Sequence, residues 1–329
     1  MKKIGSYPNT RLRRNRKTEW SRRLVQEKTL STNDLIWPIF ICEGKNIKKP
    51  IKSMPGVYVY SIDKIEKLIE GAITKKIPMI ALFPNTPDNK KNKNGTEALN
   101  KNNIVCKSLK LIKKSFTEIG VMCDVALDPY TDHGHDGILK DNYVDNDKTI
   151  EILVKQSILQ AEMGCDVIAP SDMMDGRIGE IRKALDKNGF QLTQILSYAV
   201  KFASNFYGPF RDAVGSKKSL KGDKKSYQMD FRNSNEAIRE VALDIYEGAD
   251  FVMVKPGMPY LDIISLVKNN FKIPVFAYQV SGEYSLIKNG INNKILNEDA
   301  IIESLTSFKR AGACAVVTYF ADQITKKLI

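Results

Sequence analysis

Long hydrophobic runs are missing from this sequence. No apolar stretch approaches the roughly 18 residues that a membrane-spanning helix needs, and the basic start MKKIGSYPNTRLRRNRK is not followed by the apolar segment of a secretion signal. The five cysteines have no CxxC spacing, so neither a disulfide framework nor a zinc ribbon is indicated. These absences predict a cytoplasmic protein with reduced thiols and no membrane partner.

The charge is one-sided, because 51 lysines and arginines face 38 acidic residues and give a formal net charge of +13. The lysines alternate with Asn and Ile along the chain instead of clustering with aromatic residues, which favours a solvated surface over a nucleic-acid partner. Arginines concentrate only at the start, at Arg11, Arg13, Arg14 and Arg16. We therefore predict an N-terminal arm over residues 1–30, which either lies on a partner subunit or binds an anion.

Eight short apolar runs recur along the remaining chain, residues 31–329, and each is typical of a buried strand. They are LIWPIFI, MIALFP, VMCDVALD, DVIAPS, ILSYAV, DFVMVKPG, PVFAYQVS and AVVTYFA. Helix-like segments such as KTIEILVKQSILQAEMG and NEAIREVALDIYEG separate them and stop at glycine. This alternation predicts an α/β fold, a (β/α)8 TIM barrel. A doubly wound open sheet is the alternative, but no GxGxxG follows the first strand.

Two segments interrupt this alternation. Residues 85–103 are rich in Lys, Asn, Gly and Pro, and residues 206–233 carry Gly, Lys, Asp and Ser without periodicity. Both are predicted to be loops. The second follows a strand end, which makes it a candidate lid over an active site.

Two lysines stand at predicted strand ends, where the active site of such a barrel lies. Lys255 closes the apolar run DFVMVKPG, and Lys201 follows ILSYAV. Each is either a rim lysine with its amine in water or a partly buried amine. Burial and a neighbouring cation both favour the neutral amine, which attacks a ketone to form an imine.

The other candidate groups are polar clusters that admit two interpretations each. Residues 123–137, CDVALDPYTDHGHDG, hold both histidines and four aspartates. These side chains form either a metal site or hydrogen-bonded turns. In SDMMDGR, Asp172 is a site carboxylate or a helix cap. Cations in residues 206–233 either grip a substrate carboxylate or are merely solvated.

Taken together, SYAVKFASNFYGPFRDA, KGDKKSYQMDFRNSNEAIRE, GADFVMVKPG, QVSGEY and SDMMDGR resemble the signature stretches of the porphobilinogen synthase (5-aminolevulinate dehydratase) family. The resemblance runs over nearly the whole chain. It implies a barrel with an extended N-terminal arm, a homo-octamer, and condensation of two 5-aminolevulinate molecules to porphobilinogen in tetrapyrrole (heme) biosynthesis.

The resemblance also implies roles for individual residues. Lys255 and Lys201 bind the first and second substrate as Schiff bases, and Asp124, Asp128 and Asp172 move protons. Ser281 and Tyr319 hold the first carboxylate. The implied partners of the second substrate are Arg211, Lys221, Lys224 and Gln228. Lys224 stands where the family usually has arginine, so the two-pronged grip of a guanidinium is lost there.

For metals the resemblance points to the aspartate-rich branch of the family. The three zinc-binding cysteines of other members correspond to Ala126, Asp128 and Asp136, and carboxylates suit hard cations better than zinc. We therefore expect no catalytic zinc and an allosteric Mg²⁺ near Glu240.

Two alternative functions stay open for the chain. One is an aldolase-like barrel with a single Schiff-base lysine, and the other is a basic nucleic-acid-binding protein.

Overall fold

The chain folds into alternating strands and helices, and the computed structural model describes residues 5–214, 220 and 222–328. The strands are β1 Leu35–Cys42, β2 Lys48–Pro50, β3 Tyr58–Ser61, β4 Met79–Asn85, β5 Gly120–Val125, β6 Ile138–Lys140, β7 Tyr143–Asp145, β8 Val167–Pro170, β9 Gln194–Lys201, β10 Phe251–Lys255, β11 Val275–Gln279 and β12 Ala315–Thr318. The α-helices are α1 Glu19–Leu24, α2 Ile65–Thr74, α3 Ile104–Ser115, α4 Asn146–Glu162, α5 Arg177–Lys187, α6 Gly208–Ala213, α7 Asn235–Tyr246, α8 Leu261–Asn270, α9 Ser281–Asn292, α10 Asp299–Ala311 and α11 Ala321–Ile324. Short 3-10 helices lie at Leu12–Arg16, Thr32–Asp34, Ile62–Lys64, Asp88–Lys90, Thr96–Leu99, Asn205–Tyr207, Met258–Tyr260 and Thr325–Lys327.

Eight strands form a closed parallel barrel in the order β1, β4, β5, β8, β9, β10, β11 and β12. The barrel closes where Leu35 and Ile36 of β1 pair with Val316 and Val317 of β12. Each barrel strand coincides with one of the eight apolar runs over most of its length, so the predicted (β/α)8 TIM barrel is confirmed. β3 extends β1 outside the barrel, β2 pairs antiparallel with β3, and β6 and β7 form a separate hairpin.

The helices pack their apolar faces on the barrel, and local signals fix their ends. Asn103 caps α3 by accepting a hydrogen bond from the N–H of Cys106 (2.8 Å), and Asp145 caps α4 in the same way. Gly312 ends α10 with a φ of 114°, a left-handed conformation that glycine adopts without strain. This scaffold brings the C-terminal ends of β5, β8, β9, β10, β11 and β12 to one face of the barrel.

The predicted loop over residues 206–233 is partly wrong. It begins in the 3-10 helix Asn205–Tyr207 and continues as α6, Gly208–Ala213. Pro209 suits the first turn of a helix, but α6 is only six residues long, and the N–H of Phe210 donates to Ser281 Oγ (2.9 Å), so a tertiary contact helps to hold it. Residues 215–219 and Lys221 lie outside the described residues, and closure of a lid stays a prediction.

The N-terminal segment is separate in character from the barrel. Among residues 5–30, Ser21 is the one buried side chain, whereas Leu12, Trp20 and Leu24 are exposed. The boundary at residue 30 stays a prediction. In the described part of the chain, no helix has the length and apolarity needed to cross a membrane.

Candidate active site

Two lysine side chains end neighbouring barrel strands at the same height. Lys201 is the last residue of β9 and Lys255 the last of β10, and the two are paired across the ladder. Each is only 6% exposed. Neither is therefore a rim lysine with its amine in water.

Lys255 lies in an aromatic environment. Its Nζ is 4.5 Å from the ring centre of Tyr278, 5.0 Å from that of Tyr198, 5.4 Å from that of Phe210 and 5.6 Å from that of Tyr207. The ring faces attract an ammonium group, but burial acts more strongly against it. Burial, followed by the charge of Lys201, lowers the pKa of Lys255 to about 7. A large fraction of Lys255 is therefore a neutral amine at neutral pH.

Lys201 lies in a polar environment instead. Its Nζ donates to the carbonyl oxygen of Ser171 and is 3.7 Å from Asp136 Oδ2. Lys224 approaches the same carboxylates, with Nζ 3.0 Å from Asp136 Oδ1 and 3.5 Å from Asp128 Oδ2. The result is a buried network of alternating charges, here called the carboxylate network.

The pKa values in the carboxylate network diverge, because its members are unequally paired. Burial opposes ionisation of Asp136, but Lys201 and Lys224 outweigh it and lower the pKa of Asp136. Burial wins at Asp128, where it raises the pKa to about 6 against the attraction of Lys224. Burial also raises the pKa of Asp124, with Lys255 and Lys201 opposing it. One carboxylate thus stays ionised while its neighbours can hold a proton, which is the arrangement that acid–base chemistry requires.

Asp172 is buried beside this network but turns toward the helix layer. Its Oδ1 accepts from the N–H of Met174 (2.8 Å), and its Oδ2 lies 3.5 Å from Nε of the buried Arg177. Burial raises the pKa of Asp172 to about 6, with Arg177 opposing. It is not the cap of α5, because Gly176 occupies that position.

A cavity of about 30 Å³ joins the two lysines. The cavity is lined by Asp124, Asp128, Ser171, Lys201, Tyr207, Phe210, Arg211, Lys224, Gln228 and Lys255. Seven of these, all except Ser171, Tyr207 and Phe210, were singled out from the sequence.

Ser281 and Tyr319 each contact one of the aromatic residues that surround Lys255. Ser281 begins α9, and its Oγ accepts the N–H of Phe210. The hydroxyls of Tyr319 and Tyr278 lie 3.1 Å apart. Both Phe210 and Tyr278 are among the rings around Lys255, so Ser281 and Tyr319 each lie one residue behind the aromatic wall of the cavity.

The histidine segment does not offer a metal cage. His133 Nε2 lies 3.2 Å from the carbonyl oxygen of Lys93, and His135 Nδ1 lies 3.1 Å from the Tyr227 hydroxyl. Over residues 5–214, 220 and 222–328, no three His, Cys, Asp or Glu side chains converge as metal ligands. Glu240 lies away from the lysines and, with Asp175 and Glu236, lines a cavity of about 310 Å³.

Known proteins identify the family. The family profile described as delta-aminolevulinic acid dehydratase matches residues 9–327. The delta-aminolevulinic acid dehydratase of Bradyrhizobium diazoefficiens is 56% identical over 319 residues, which cover 97% of this chain and 90% of the relative. That of Methanothermus sociabilis is 50% identical over 322 residues, 98% of this chain and 99% of the relative. This chain belongs to the delta-aminolevulinic acid dehydratase family.

A solved dehydratase structure extends the match to three dimensions. The delta-aminolevulinic acid dehydratase (porphobilinogen synthase) of Toxoplasma gondii ME49, in complex with the reaction product porphobilinogen, superposes with a TM-score of 0.95. It shares 43% sequence identity and covers 97% of this chain and 91% of its own.

Sequence reasoning missed part of this dehydratase-family site. The rings of Tyr198, Tyr207, Phe210 and Tyr278 read as ordinary core residues, and no sequence spacing brings them together. Glu283 was also missed. Its carboxyl accepts the N–H groups of Val280 (2.6 Å), Gly257 (3.4 Å) and Met258, and so ties the turn after Lys255 to the start of α9. The QVSGEY motif contains it, and a glutamate three residues after a helix cap is the available signal.

Proposed function

We propose that this protein condenses two molecules of 5-aminolevulinate into porphobilinogen, with loss of two waters, through imines to Lys255 and Lys201. The observation that carries the proposal is the pair of buried lysine amines, side by side on β9 and β10 and joined by one cavity. An aldolase-like mechanism needs only one such lysine. The product bound to the dehydratase of Toxoplasma gondii ME49 supports the same reaction.

The first substrate binds at Lys255. Because burial lowers its pKa to about 7, the neutral amine is available to attack the ketone carbon. The hydroxyls of Ser281 and Tyr319 hold the carboxylate of this substrate. The rings around Lys255 exclude water, which protects the imine from hydrolysis.

The second substrate binds at Lys201, on the side of the carboxylate network. Arg211, Lys224 and Gln228 provide donors for its carboxylate, and they line the same cavity. Lys224 now pairs with Asp128 and Asp136, so an incoming carboxylate competes for a cation that is already engaged. Lys221 lies outside the described residues, and its part in this grip stays a prediction.

Proton transfers fall to Asp124 and Asp128, because burial raises the pKa of both carboxyls, that of Asp128 to about 6. Asp172 faces Arg177, which favours a supporting role through the neighbouring Ser171. Fixing both substrates by imines and carboxylate contacts turns a bimolecular encounter into an oriented one. Such orientation is worth up to roughly 7–11 kcal/mol of barrier in well-aligned systems.

We also assign the chain to the aspartate-rich branch that lacks a catalytic zinc. The donor chemistry supports this, because Ala126 cannot ligate and Asp128 and Asp136 offer hard oxygens that already bind Lys224. A thiolate-type zinc centre therefore does not fit these residues. No proton or bond-forming step above depends on a metal.

Magnesium fits the region around Glu240 better. Burial, then the charge of Asp244, raises the pKa of Glu240 to about 6, so a cation there would relieve unfavourable charge. The cavity beside it offers the oxygens of Asp175 and Glu236. Mg²⁺ keeps most of its waters and needs only one or two carboxylates. We propose that Mg²⁺ binds here and acts allosterically, by strengthening subunit contacts.

The N-terminal arm supports assembly into a homo-octamer. Exposed apolar side chains on the arm include Tyr7, Leu12, Trp20 and Leu24, which are 63–77% exposed. Burial of such side chains against a second copy of the chain would stabilise an assembly. Removal of residues 1–30 should lower the mass of the particle in solution, as measured by light scattering.

The direct test is incubation of the purified protein with 5-aminolevulinate, followed by a colour assay for porphobilinogen. Product that forms in proportion to enzyme, and borohydride trapping of substrate on two lysines, are the expected results. Trapping on one lysine without porphobilinogen would favour the aldolase-like alternative.

A further inference from the structure

The aromatic side of the site contains a buried hydroxyl, that of Tyr198, which has no role in the proposed reaction so far. Tyr198 is fully buried, and its ring centre lies 5.0 Å from Lys255 Nζ. Its hydroxyl has no hydrogen-bond partner within residues 5–214, 220 and 222–328. Buried phenols are usually hydrogen-bonded, because an unmet hydroxyl is destabilising. The unpaired hydroxyl therefore needs an explanation, and a reactive amine, Lys255 Nζ, lies beside the same ring.

An irregularity in the barrel turns this side chain inward. Residues three apart on a regular strand face opposite sides, so Tyr198 and Lys201 should not share a face. The pairing of β9 with β10 shifts register here, from Ser197 opposite Val252 to Val200 opposite Val254. The extra residue in β9 lets both side chains reach the interior, as bulges next to active sites do.

The neighbouring residue Ser197 shows which face of β9 points to the helices and which to the barrel interior. Its Oγ donates to Asp244 of α7 and accepts from Arg177 of α5 at 3.3 Å, so it points to the helix layer. Tyr198 points the other way, toward Lys255 and the ring of Tyr278. The register shift therefore places the phenol of Tyr198 next to Lys255.

A second unpaired polar atom lies in the same region. Asp124 Oδ1 is buried and has no hydrogen-bond partner within the described part of the chain. After burial, the charge of Asp124 is the largest influence that raises the pKa of Tyr198, and it also acts on Lys255. A carboxyl, a phenol and an amine thus share one buried environment, in which the phenol hydroxyl and one carboxyl oxygen have no hydrogen-bond partner within the described residues.

We propose that the Tyr198 hydroxyl donates a hydrogen bond to the ketone oxygen of the substrate that reacts at Lys255, and so stabilises the negative charge that develops there. This inference rests on the proposed function and adds a catalytic residue to it. The role is that of an oxyanion donor, which acts on charge that appears only during the reaction.

The step balances without any further reactant. The neutral Lys255 amine forms the C–N bond while the carbonyl π pair moves to oxygen, and a proton from nitrogen then reaches that oxygen. Protonated Asp124 gives its proton to the hydroxyl, which leaves as water as the iminium C=N bond forms. Asp124 becomes the counter-ion of the iminium. Tyr198 keeps its proton throughout, because burial raises its pKa well above the usual value.

The test is Tyr198→Phe, which deletes the hydroxyl alone. In single-turnover borohydride trapping with 5-aminolevulinate, the rate of labelling at Lys255 should fall about 10- to 100-fold. The melting temperature should stay the same or rise, because the lost hydroxyl had no partner. The pH midpoint of trapping should not move, since no charge is changed.

The matched control is Tyr284→Phe. The Tyr284 hydroxyl donates to the carbonyl oxygen of Pro55 (2.7 Å), so its loss should lower the melting temperature and leave trapping at the wild-type rate. Wild-type trapping by Tyr198→Phe would overturn the inference. So would slow trapping that comes with a fall in melting temperature like that of the control, because that pattern marks a structural role.

The wild-type protein separates this inference from the proposed function. If wild type neither traps 5-aminolevulinate nor makes porphobilinogen, the proposed function fails and the inference fails with it. If wild type does both and Tyr198→Phe equals it, only the inference fails.

Discussion

The two lysines differ in surroundings although they are equal in position. They share a register on adjacent strands and the same exposure of 6%. Lys255 meets four aromatic rings, whereas Lys201 meets a carbonyl oxygen and Asp136. The scaffold therefore disfavours the charge of the Lys255 amine and holds the Lys201 amine in an ion pair with Asp136.

This difference between the two lysines predicts the order in which they react with substrate. The amine at Lys255 is available first, because its charge has already been disfavoured by burial. We expect Lys201 to react only after a substrate reorganises the carboxylate network. Two identical substrates can thus be given different tasks by two lysines of the same strand position.

The largest effect should come from Lys255→Arg. Arginine keeps a cation but supplies no neutral amine, so we expect kcat to fall on the order of 10³-fold or more. Lys255→Met is the control, because it lacks the amine and also avoids burial of a permanent charge. Porphobilinogen formation measures both variants, and one-tenth of wild-type activity in either would refute the imine at Lys255.

Lys201→Arg should separate the two imines. The guanidinium can keep the contacts with Asp136 and the Ser171 carbonyl, but it cannot form an imine. Porphobilinogen formation should fall about 100-fold or more, while borohydride trapping at Lys255 stays within about threefold of wild type. Loss of trapping at Lys255 would mean that the lysines do not act separately.

The pH dependence of trapping at Lys255 sharpens the comparison further. Only the deprotonated amine attacks, so the rate should rise with pH, with a midpoint at about 7, and level off above it. Lys201→Met removes a neighbouring cation that lowers the pKa of Lys255, so the midpoint should move to higher pH. Lys201→Arg keeps the cation and should leave the midpoint in place. Equal midpoints in the Met and Arg variants would contradict this coupling.

Metal effects should be smaller and should lie outside the lysine pair. A zinc-selective chelator should leave the rate unchanged, because the carboxylate network offers no thiolate. Stoichiometric zinc in active protein, with activity lost on its removal and regained on its return, would contradict that expectation.

Glu240→Ala should abolish any several-fold stimulation by Mg²⁺ while the rate without Mg²⁺ stays near that of wild type. Glu303→Ala, an exposed glutamate on α10, is the control and should keep the stimulation. Stimulation that survives Glu240→Ala would place the magnesium elsewhere.

Sequence patterns predicted the barrel because its strands are continuous apolar runs and its helices stop at signals such as Gly312. They also pointed to Lys255 and Lys201, since a lysine that ends an apolar strand stands out. They did not predict α6, which is only six residues long and is held in part by a contact with Ser281. Nor could they predict that Tyr198 faces Lys255, because strand parity places it on the wrong face until the register shift is known.

The carboxylate network shows the same limit. Asp136 was noticed as part of the Asp/His segment and as the position of an absent cysteine, yet it pairs with Lys201 and Lys224. These partners are 65 and 88 residues away in sequence. Charge pairing at that separation is set by the closed barrel and leaves no local pattern.

The most direct test of the difference between the lysines is to identify which one is labelled first. Wild-type protein is mixed with 5-aminolevulinate below saturation, quenched with borohydride within one turnover, and digested for mass mapping. Labelling on Lys255 before Lys201 is the result that the structure predicts. Labelling that starts on Lys201, or reaches both at the same rate, would contradict it.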